Sequence, residues 1–391
     1  MRVYFAPCGI GLGHVGRCVP IAEALFKENV EVVFSTYKEG ACYVEQEGYP
    51  LVEAPPIGFQ VKPDGTVDFR QTAINPGPIF ASFTLLKQIN AEVEAIESFN
   101  PDVIVSDSRL SPLLAGRALR IPRICILNQF QIIIPRRKHF LRLARFADTV
   151  TLAIIGKMWT SGNTVLIPDF PSPYTISTGN LTIPQSYMKN VRLVGPILPI
   201  YPNKLPSKEK LRDRLELPRD KPVIYVPISG PTAEKAFLSR ILRKIVFNLP
   251  HDLEVVISYG RPGAGNEPKR QGNVTAFNWI PNRFEYLKAS DVVVGRAGHG
   301  TIAQCMCYGK PIVLIPTPGH TEQLNNAKQA EDLGIGRIVL QDRLNRASLT
   351  KGIQQVSQDR TLDRLEIVRN EALKYDGLKT IVDAIFDAGR E

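Results

Sequence analysis

Between Gly295 and Ala327 the chain holds two polar turns, each behind an apolar run and each opening a helical pattern. The first reads Gly-Arg-Ala-Gly-His-Gly-Thr-Ile-Ala-Gln and the second Pro-Gly-His-Thr-Glu-Gln-Leu-Asn-Asn-Ala. The first turn of a helix presents unpaired backbone N–H groups and the positive end of the peptide dipole. Gly298, His299, Gly300 and Thr301 therefore suit a phosphate, with glycine allowing close approach. At the second turn Glu322, Gln323 and Asn325 can hydrogen-bond hydroxyl groups. Phosphate cradling beside hydroxyl readout suits a nucleotide sugar.

A third loop, Pro7 to Arg17, follows the first apolar run and also opens a helix. Its glycines are spaced G-x-G-x-G-H rather than in the dinucleotide fingerprint G-x-G-x-x-G, and a histidine at the helix start would crowd a pyrophosphate. His14 instead reads as a general base or as a capping residue. The positive end of the helix disfavours its protonated form. Asp107 ends the buried run from Val103 to Ser106, where doubly wound sheets meet their ligands; a turn or capping role is the alternative.

Positioning these loops calls for an α/β architecture, because apolar runs alternate with amphipathic segments throughout the chain. Strands are expected at Arg2–Ala6, Glu31–Ser35, Leu51–Glu53, Val103–Ser106, Arg123–Leu127, Thr149–Leu152 and Thr164–Ile167. A second set is expected at Val223–Pro227, Leu253–Ser258, Val274–Phe277, Val292–Val294, Ile312–Ile315 and Arg337–Val339. Four prolines at 196, 199, 202 and 206 mark a stiff connection between the two sets. The expected organisation is a first α/β domain over 1–198, a linker over 199–206, a second α/β domain over 207–370 and a terminal helical segment over 371–391. The helical pattern from Asp363 to Phe386 reads as one segment.

Composition narrows the function classes. The 391 residues are 44% hydrophobic and 22% charged, ordinary for a globular protein of two domains. The net charge of +10 is uneven: between Asp107 and Asp148 there are nine basic residues and no acidic one. Such a field draws phosphates, but no nucleic-acid-reading motif accompanies it, so nucleic acid is not an expected partner. The six cysteines show no C-x-x-C pair or zinc spacing, and no metal site is expected. The first strand begins too early for a signal peptide, and no apolar run spans a bilayer, which points to a cytoplasmic protein.

Together, Gly9–Arg17, Gly295–Gln304 and His320–Ala327 resemble glycosyltransferases of the GT-B fold, with a likeness to MurG-like N-acetylglucosaminyltransferases and an uncharacterised archaeal branch of that group. The resemblance follows nearly the whole chain by order of elements, with its strong motifs in these loops. It implies two Rossmann-like doubly wound domains facing a cleft, the first binding the acceptor and the second the nucleotide sugar, and an inverting, metal-independent transfer from a UDP-sugar. That donor is a co-substrate; no cofactor is implied. His14 matches the family's first-loop histidine, with Gly11, Gly13 and Arg17 in the acceptor loop. Asp107 would pair with the histidine as an aspartate does in related plant-type transferases. Ser229 and Gly230 match the loop on the diphosphate, though Pro227 and Ile228 replace the usual two glycines. Trp279 and Asn282 resemble a segment whose indole stacks on uracil and whose amide reads it, with Asn282 shorter than the usual glutamine; core packing is the alternative for Trp279. Arg296, Gly298, His299, Gly300 and Thr301 match the phosphate-holding helix start. Gln304 stands where a glutamate usually binds the ribose hydroxyls, and one amide oxygen accepts less than a carboxylate. Glu322 and Gln323 match the pair that contacts the donor sugar, with His320 and Asn326 as second choices. His139 and His251 have no motif around them.

The acceptor is less legible. The apolar stretch from Pro78 to Leu86, and Ile132–Ile134 followed by Arg136, Arg137 and Lys138, could form an apolar patch rimmed by positive charge. Such a patch docks on an anionic membrane surface; an ordinary amphipathic helix with a solvated charge run is the alternative. The family implies a lipid-linked acceptor, and a small molecule is the other class. The expected activity is a glycosyltransferase. A UDP-sugar hydrolase, a UDP-sugar epimerase or a catalytically idle partner subunit of the same fold are the rivals.

Overall fold

The structure is a computed structural model that describes residues 1–57, 77–130, 156–161, 163–181 and 183–390, with the side chains of 77–82 outside that description. The expected strand at Thr149–Leu152, His139 and the basic stretch 136–138 lie outside the described residues.

Two seven-stranded sheets form the frame. The first contains β1 (Arg2–Pro7), β2 (Glu31–Thr36), β3 (Leu51–Glu53), β4 (Val103–Asp107), β5 (Arg123–Ile126), β6 (Thr164–Ile167) and β7 (Val191–Leu193), in the order β3-β2-β1-β4-β5-β6-β7, all parallel. The second contains β8 (Val223–Pro227), β9 (Glu254–Ser258), β10 (Lys269–Gln271), β11 (Val274–Phe277), β12 (Val292–Gly295), β13 (Ile312–Leu314) and β14 (Gly336–Ile338), in the order β10-β11-β9-β8-β12-β13-β14. In it β10 alone runs antiparallel, against β11. Strands β1, β4 and β9 are buried along nearly their whole length, as parallel strands covered on both faces must be.

Helices cover both sheets. Around the first lie α1 (Val15–Lys27), α2 (Glu39–Gln46), α3 (Gly77–Phe99) and α4 (Ser111–Ala118). Around the second lie α5 (Lys208–Arg214), α6 (Thr232–Val246), α7 (Arg283–Ala289), α8 (His299–Tyr308), α9 (Thr321–Asp332), α10 (Arg346–Val356) and α11 (Asp359–Ala372), and α12 (Gly377–Ala388) ends the chain. Helix α1 buries Cys18, Val19, Ile21, Ala22 and Leu25 against the sheet, and it ends where Asn29 turns left-handed at φ 59°.

The terminal helical pattern is divided. Helix α11 stops at Ala372, and Asp376 starts α12 by accepting from the Lys379 N–H at 2.9 Å. The break lets α12 return to the first sheet, where Ile381 and Ile385 join its core. At the crossing a Cβ on Gly377 would lie 2.2 Å from the Gly195 carbonyl oxygen, so only glycine fits. A return in the other direction comes from the loop after β6: Phe170 and Ile176 are buried in the core of the second sheet.

Candidate active site

The loops singled out above converge because each leaves the carboxyl end of a strand. The first loop follows β1, Asp107 ends β4, Ser229 and Gly230 follow β8, and the first turns of α8 and α9 follow β12 and β13. They line a cleft of about 350 Å³ together with residues of both sheets. Gly11, Gly13, His14, Arg17, Ser229, Gly230, Trp279, Arg296, Gly298, His299, Gly300, Thr301, Gln304, Glu322 and Gln323 all contribute to its walls. Gly11 lies against Pro231 of the other side and adopts φ 66°, the left-handed conformation that favours glycine.

On the first side, His14 Nδ1 lies 2.8 Å from Asp107 Oδ1. Asp107 is completely buried. Burial alone would raise its pKa, but the Arg17 guanidinium and then His14 outweigh it and hold the carboxyl at about 2. A carboxylate only accepts hydrogen bonds, so the hydrogen on the imidazole is on Nδ1 and the lone pair on Nε2. Arg17 donates from both Nε and Nη2 to Asp107, the second at 2.6 Å. Its Nη2 also lies 2.9 Å from His14 Nδ1, a close approach and not a hydrogen bond while Nδ1 carries its hydrogen toward Asp107. Arg17 therefore clamps the aspartate instead of projecting freely toward an acceptor.

On the opposite side, α8 and α9 present their N-termini to the cleft. Helix α8 has Gly298 as its cap residue with no side-chain cap, so its first N–H groups remain for a ligand. In α9 His320 caps the start weakly, its Nδ1 3.4 Å from the Gln323 N–H. Glu322 receives a 2.8 Å hydrogen bond from the Asn128 amide, which comes from the first side. Gln323 accepts from the Thr317 N–H at 2.9 Å. Gln304 stands half-buried on the cleft wall.

Several anticipated residues are placed differently from their expected contacts. Arg296 is buried and directs its guanidinium to the Ile315 carbonyl at 2.9 Å and the Gln341 side chain at 2.8 Å. His299 turns its Nε2 to within 3.2 Å of Asp169, outside hydrogen-bond alignment. Asp169 also accepts from the N–H groups of Phe170, Ile176 and Ser177. These charges and N–H groups keep it ionised despite burial. The His299 imidazole thus ties the helix start to the chain after β6. Trp279 lines the cleft but packs edge-on to Tyr43 of α2, with ring centroids 6.0 Å apart. Asn282 is outside the lining, and its exposed amide donates to Glu285 at 2.9 Å.

Other residues of the cleft carried no signal in the sequence. Lys235 and Arg283 add positive charge to its wall, and Lys235 donates to the Gly260 carbonyl at 2.7 Å. Tyr43 reaches the cleft from the middle of α2. Asn128 could have been found by the same rule as Asp107, since it follows the carboxyl end of β5.

Residues 225–379 match the family model of the glycosyltransferase family 28 C-terminal domain. Across 97% of both chains the protein is 27% identical to an uncharacterized glycosyltransferase of Methanosarcina acetivorans. Among solved structures, the glycotransferase of kitacinnamycin superposes with a TM-score of 0.66 at 18% identity, covering 99% of this chain and 98% of its own. MurG of Acinetobacter baumannii superposes with a TM-score of 0.58 at 18% identity over 99% of each chain. Likeness at that identity is one of fold, and the MurG resemblance does not single out an acceptor or donor. The chain has the GT-B fold of these glycosyltransferases, and its match to the family 28 C-terminal domain covers residues 225–379.

Proposed function

We propose that the protein moves a sugar from a UDP-sugar, N-acetylglucosamine being the leading candidate, onto an acceptor hydroxyl with inversion at the anomeric carbon. The observation that carries this reading is the hydrogen-bonded His14–Asp107 pair on one wall of the cleft, with the N-termini of α8 and α9 on the other. The acceptor O–H donates to His14 Nε2, and its oxygen forms a bond to the anomeric carbon. The bond from that carbon to the diphosphate oxygen breaks, and the electron pair leaves with the diphosphate. Asp107 stabilises the imidazolium formed, and the N–H groups from Gly298 to Gly300 and the loop at Ser229–Gly230 take up the charge on the leaving group. Helix ends, Lys235 and Arg283 are the groups expected to hold the diphosphate. Glu322 and Gln323 fit the hydroxyls of the sugar, and Gln304 those of the ribose.

A lipid-linked acceptor is favoured over a small molecule by α3, where Phe83 and Leu86 are 58% and 60% exposed. Large apolar side chains in water at the acceptor side suit peripheral contact with a membrane. Among the described residues no helix is long and apolar enough to cross one.

His14→Ala tests the base. Transfer should fall by about 10² to 10⁴-fold while calorimetric affinity for UDP stays nearly constant; undiminished turnover would overturn the assignment. Mass spectrometry of a lipid extract incubated with the protein and a panel of UDP-sugars tests donor and acceptor together. Rapid release of free sugar without acceptor would instead make the protein a hydrolase.

A further inference from the structure

A second cleft lies on the far side of the first sheet, at the amino-terminal ends of β5, β6 and β7. Its lining includes Arg117, Arg120, Arg123, Lys189 and Arg192, and among the described residues no Asp or Glu. These come from separate places: the end of α4 and the turn after it, the first residue of β5, and the approach to β7. The described structure therefore gathers five cations that the sequence spreads over 76 positions.

Convergence of this kind is costly without an anion. Like charges repel, and Arg123 illustrates it: partial burial, then the nearby Arg117 charge, lower its pKa. Its geometry is nonetheless fixed. The buried Asn163 accepts from Arg123 Nε at 2.7 Å and is itself held by the carbonyls of Met158 and Trp159 at 3.3 and 2.8 Å. Arg117 is steadied by Ser161 at 3.1 Å. Among the described residues, Arg117, Arg120, Lys189 and Arg192 make no ion pair. All four are exposed at the rim of the cleft. Four exposed cations around the half-buried Arg123 form a site for an anion with several oxygens.

We propose that this cleft binds a multiply charged phosphate, either a soluble polyphosphate or its ester, or the headgroup of an anionic lipid. The site is separate from the catalytic cleft, which opens at the carboxyl ends of the same strands. A ligand here would tether or regulate the enzyme without taking part in transfer. The proposal does not depend on the donor or acceptor assigned above.

The test compares the wild type with Arg117→Glu/Arg192→Glu, both exposed positions, and with Arg283→Glu as a control in the catalytic cleft. Equilibrium dialysis with inorganic tripolyphosphate reads the soluble source, and co-sedimentation with phosphatidylglycerol vesicles reads the headgroup. Circular dichroism melting checks that each variant folds. Expected is at least a tenfold loss of affinity in one class of binding for one ligand in the double variant, and weakening as salt rises. Arg283→Glu keeps that class and weakens only binding in the catalytic cleft. Loss in the dialysis arm makes the source soluble, and loss in the vesicle arm alone makes it a headgroup. Binding of neither ligand, or equal binding by a folded double variant, would overturn the proposal. Should the double variant not fold, Arg192→Ala alone, on the exposed edge strand, carries the same comparison.

Discussion

At the scale of residues, Asp107 has two tasks that can be separated. It fixes the hydrogen on His14 Nδ1, and it neutralises the partly buried Arg17. In Asp107→Asn the amide can donate to Nδ1, which moves the hydrogen to Nε2 and removes the lone pair that would receive the acceptor proton. Turnover should fall by about 10² to 10⁴-fold. The same change leaves Arg17 unpaired and destabilises the fold by about 3 kcal/mol. The double variant Asp107→Asn/Arg17→Met should regain much of the melting temperature and none of the activity; recovered activity would refute the tautomer argument. The pH dependence follows from the depressed pKa. The unfolded chain binds the Asp107 proton first, so its contribution is complete above the ordinary carboxylate value of 3.8 and is lost as pH falls toward about 2. Denaturant melts over that range should show the loss in the wild type and not in the double variant. His14 and Asp107 were legible because each ends or follows a strand in a polar residue type that buried turns seldom carry. The pairing of Arg17 with Asp107 was not legible, because sequence spacing does not say which way a helix-borne arginine turns.

At the scale of elements, strands with buried apolar runs were legible almost to the residue, including β6, β8 and β11, and so was the half-buried β3. Two short strands were not. Strand β10, Lys-Arg-Gln, is exposed at every position and gains its conformation only by pairing with β11, while β7 is a mostly exposed edge. Both lack the apolar signal that marks an interior strand. The junction between α8 and β13 also hid a buried cation. Lys310 follows the left-handed Gly309 and donates to the carbonyls of Lys288 and Ser290 at 2.8 and 2.7 Å. Burial, with the charge of Lys208 adding to it, pushes its pKa down to about 7. The unfolded chain holds this proton up to about pH 10 while the folded chain has released it. Stability therefore rises with pH through that window, by up to about 1.4 kcal/mol per unit from this group. Lys310→Met should remove the slope from the difference between the two proteins' denaturation midpoints, at a cost of about 1–3 kcal/mol for the two carbonyls left without a donor. A variant with the wild-type slope would show that Lys310 does not titrate there.

At the scale of the whole molecule, the sequence pattern separates two α/β halves but says nothing of how they hold each other. Periodicity reports which face of an element is buried and not which neighbour buries it, so the placement of Phe170 and Ile176 in the second core was beyond reach. Small polar contacts tie the halves around the cleft: Asn128 to Glu322 at 2.8 Å, Asn325 to Asn180 at 2.9 Å, and Glu39 to Thr232. The last has a clear physical cause. Helix α6 starts after Pro231 without a side-chain cap of its own, and Glu39 of α2 supplies one from the other half, accepting from the Thr232 N–H at 3.1 Å and its hydroxyl at 2.8 Å. Burial would raise the Glu39 pKa, but these hydrogen bonds, with one from the Gly11 backbone, lower it. The contact is therefore held above the ordinary carboxylate range and weakens as pH falls through and below it. Helix α6 follows the loop at Ser229–Gly230, so the same carboxylate fastens one edge of the cleft to the phosphate side. A helix cap is worth about 1 kcal/mol, less where solvent screens it. Glu39→Ala should thus accelerate hydrogen exchange of the Thr232 amide by roughly fivefold or less, while amides in β8 keep wild-type rates. The wild type brought to a pH below the carboxylate range should approach the variant once the intrinsic pH dependence of exchange is divided out. If the Thr232 amide exchanges at the same rate in both proteins at neutral pH, the two halves are not fastened there, and the cleft width is set by their other contacts.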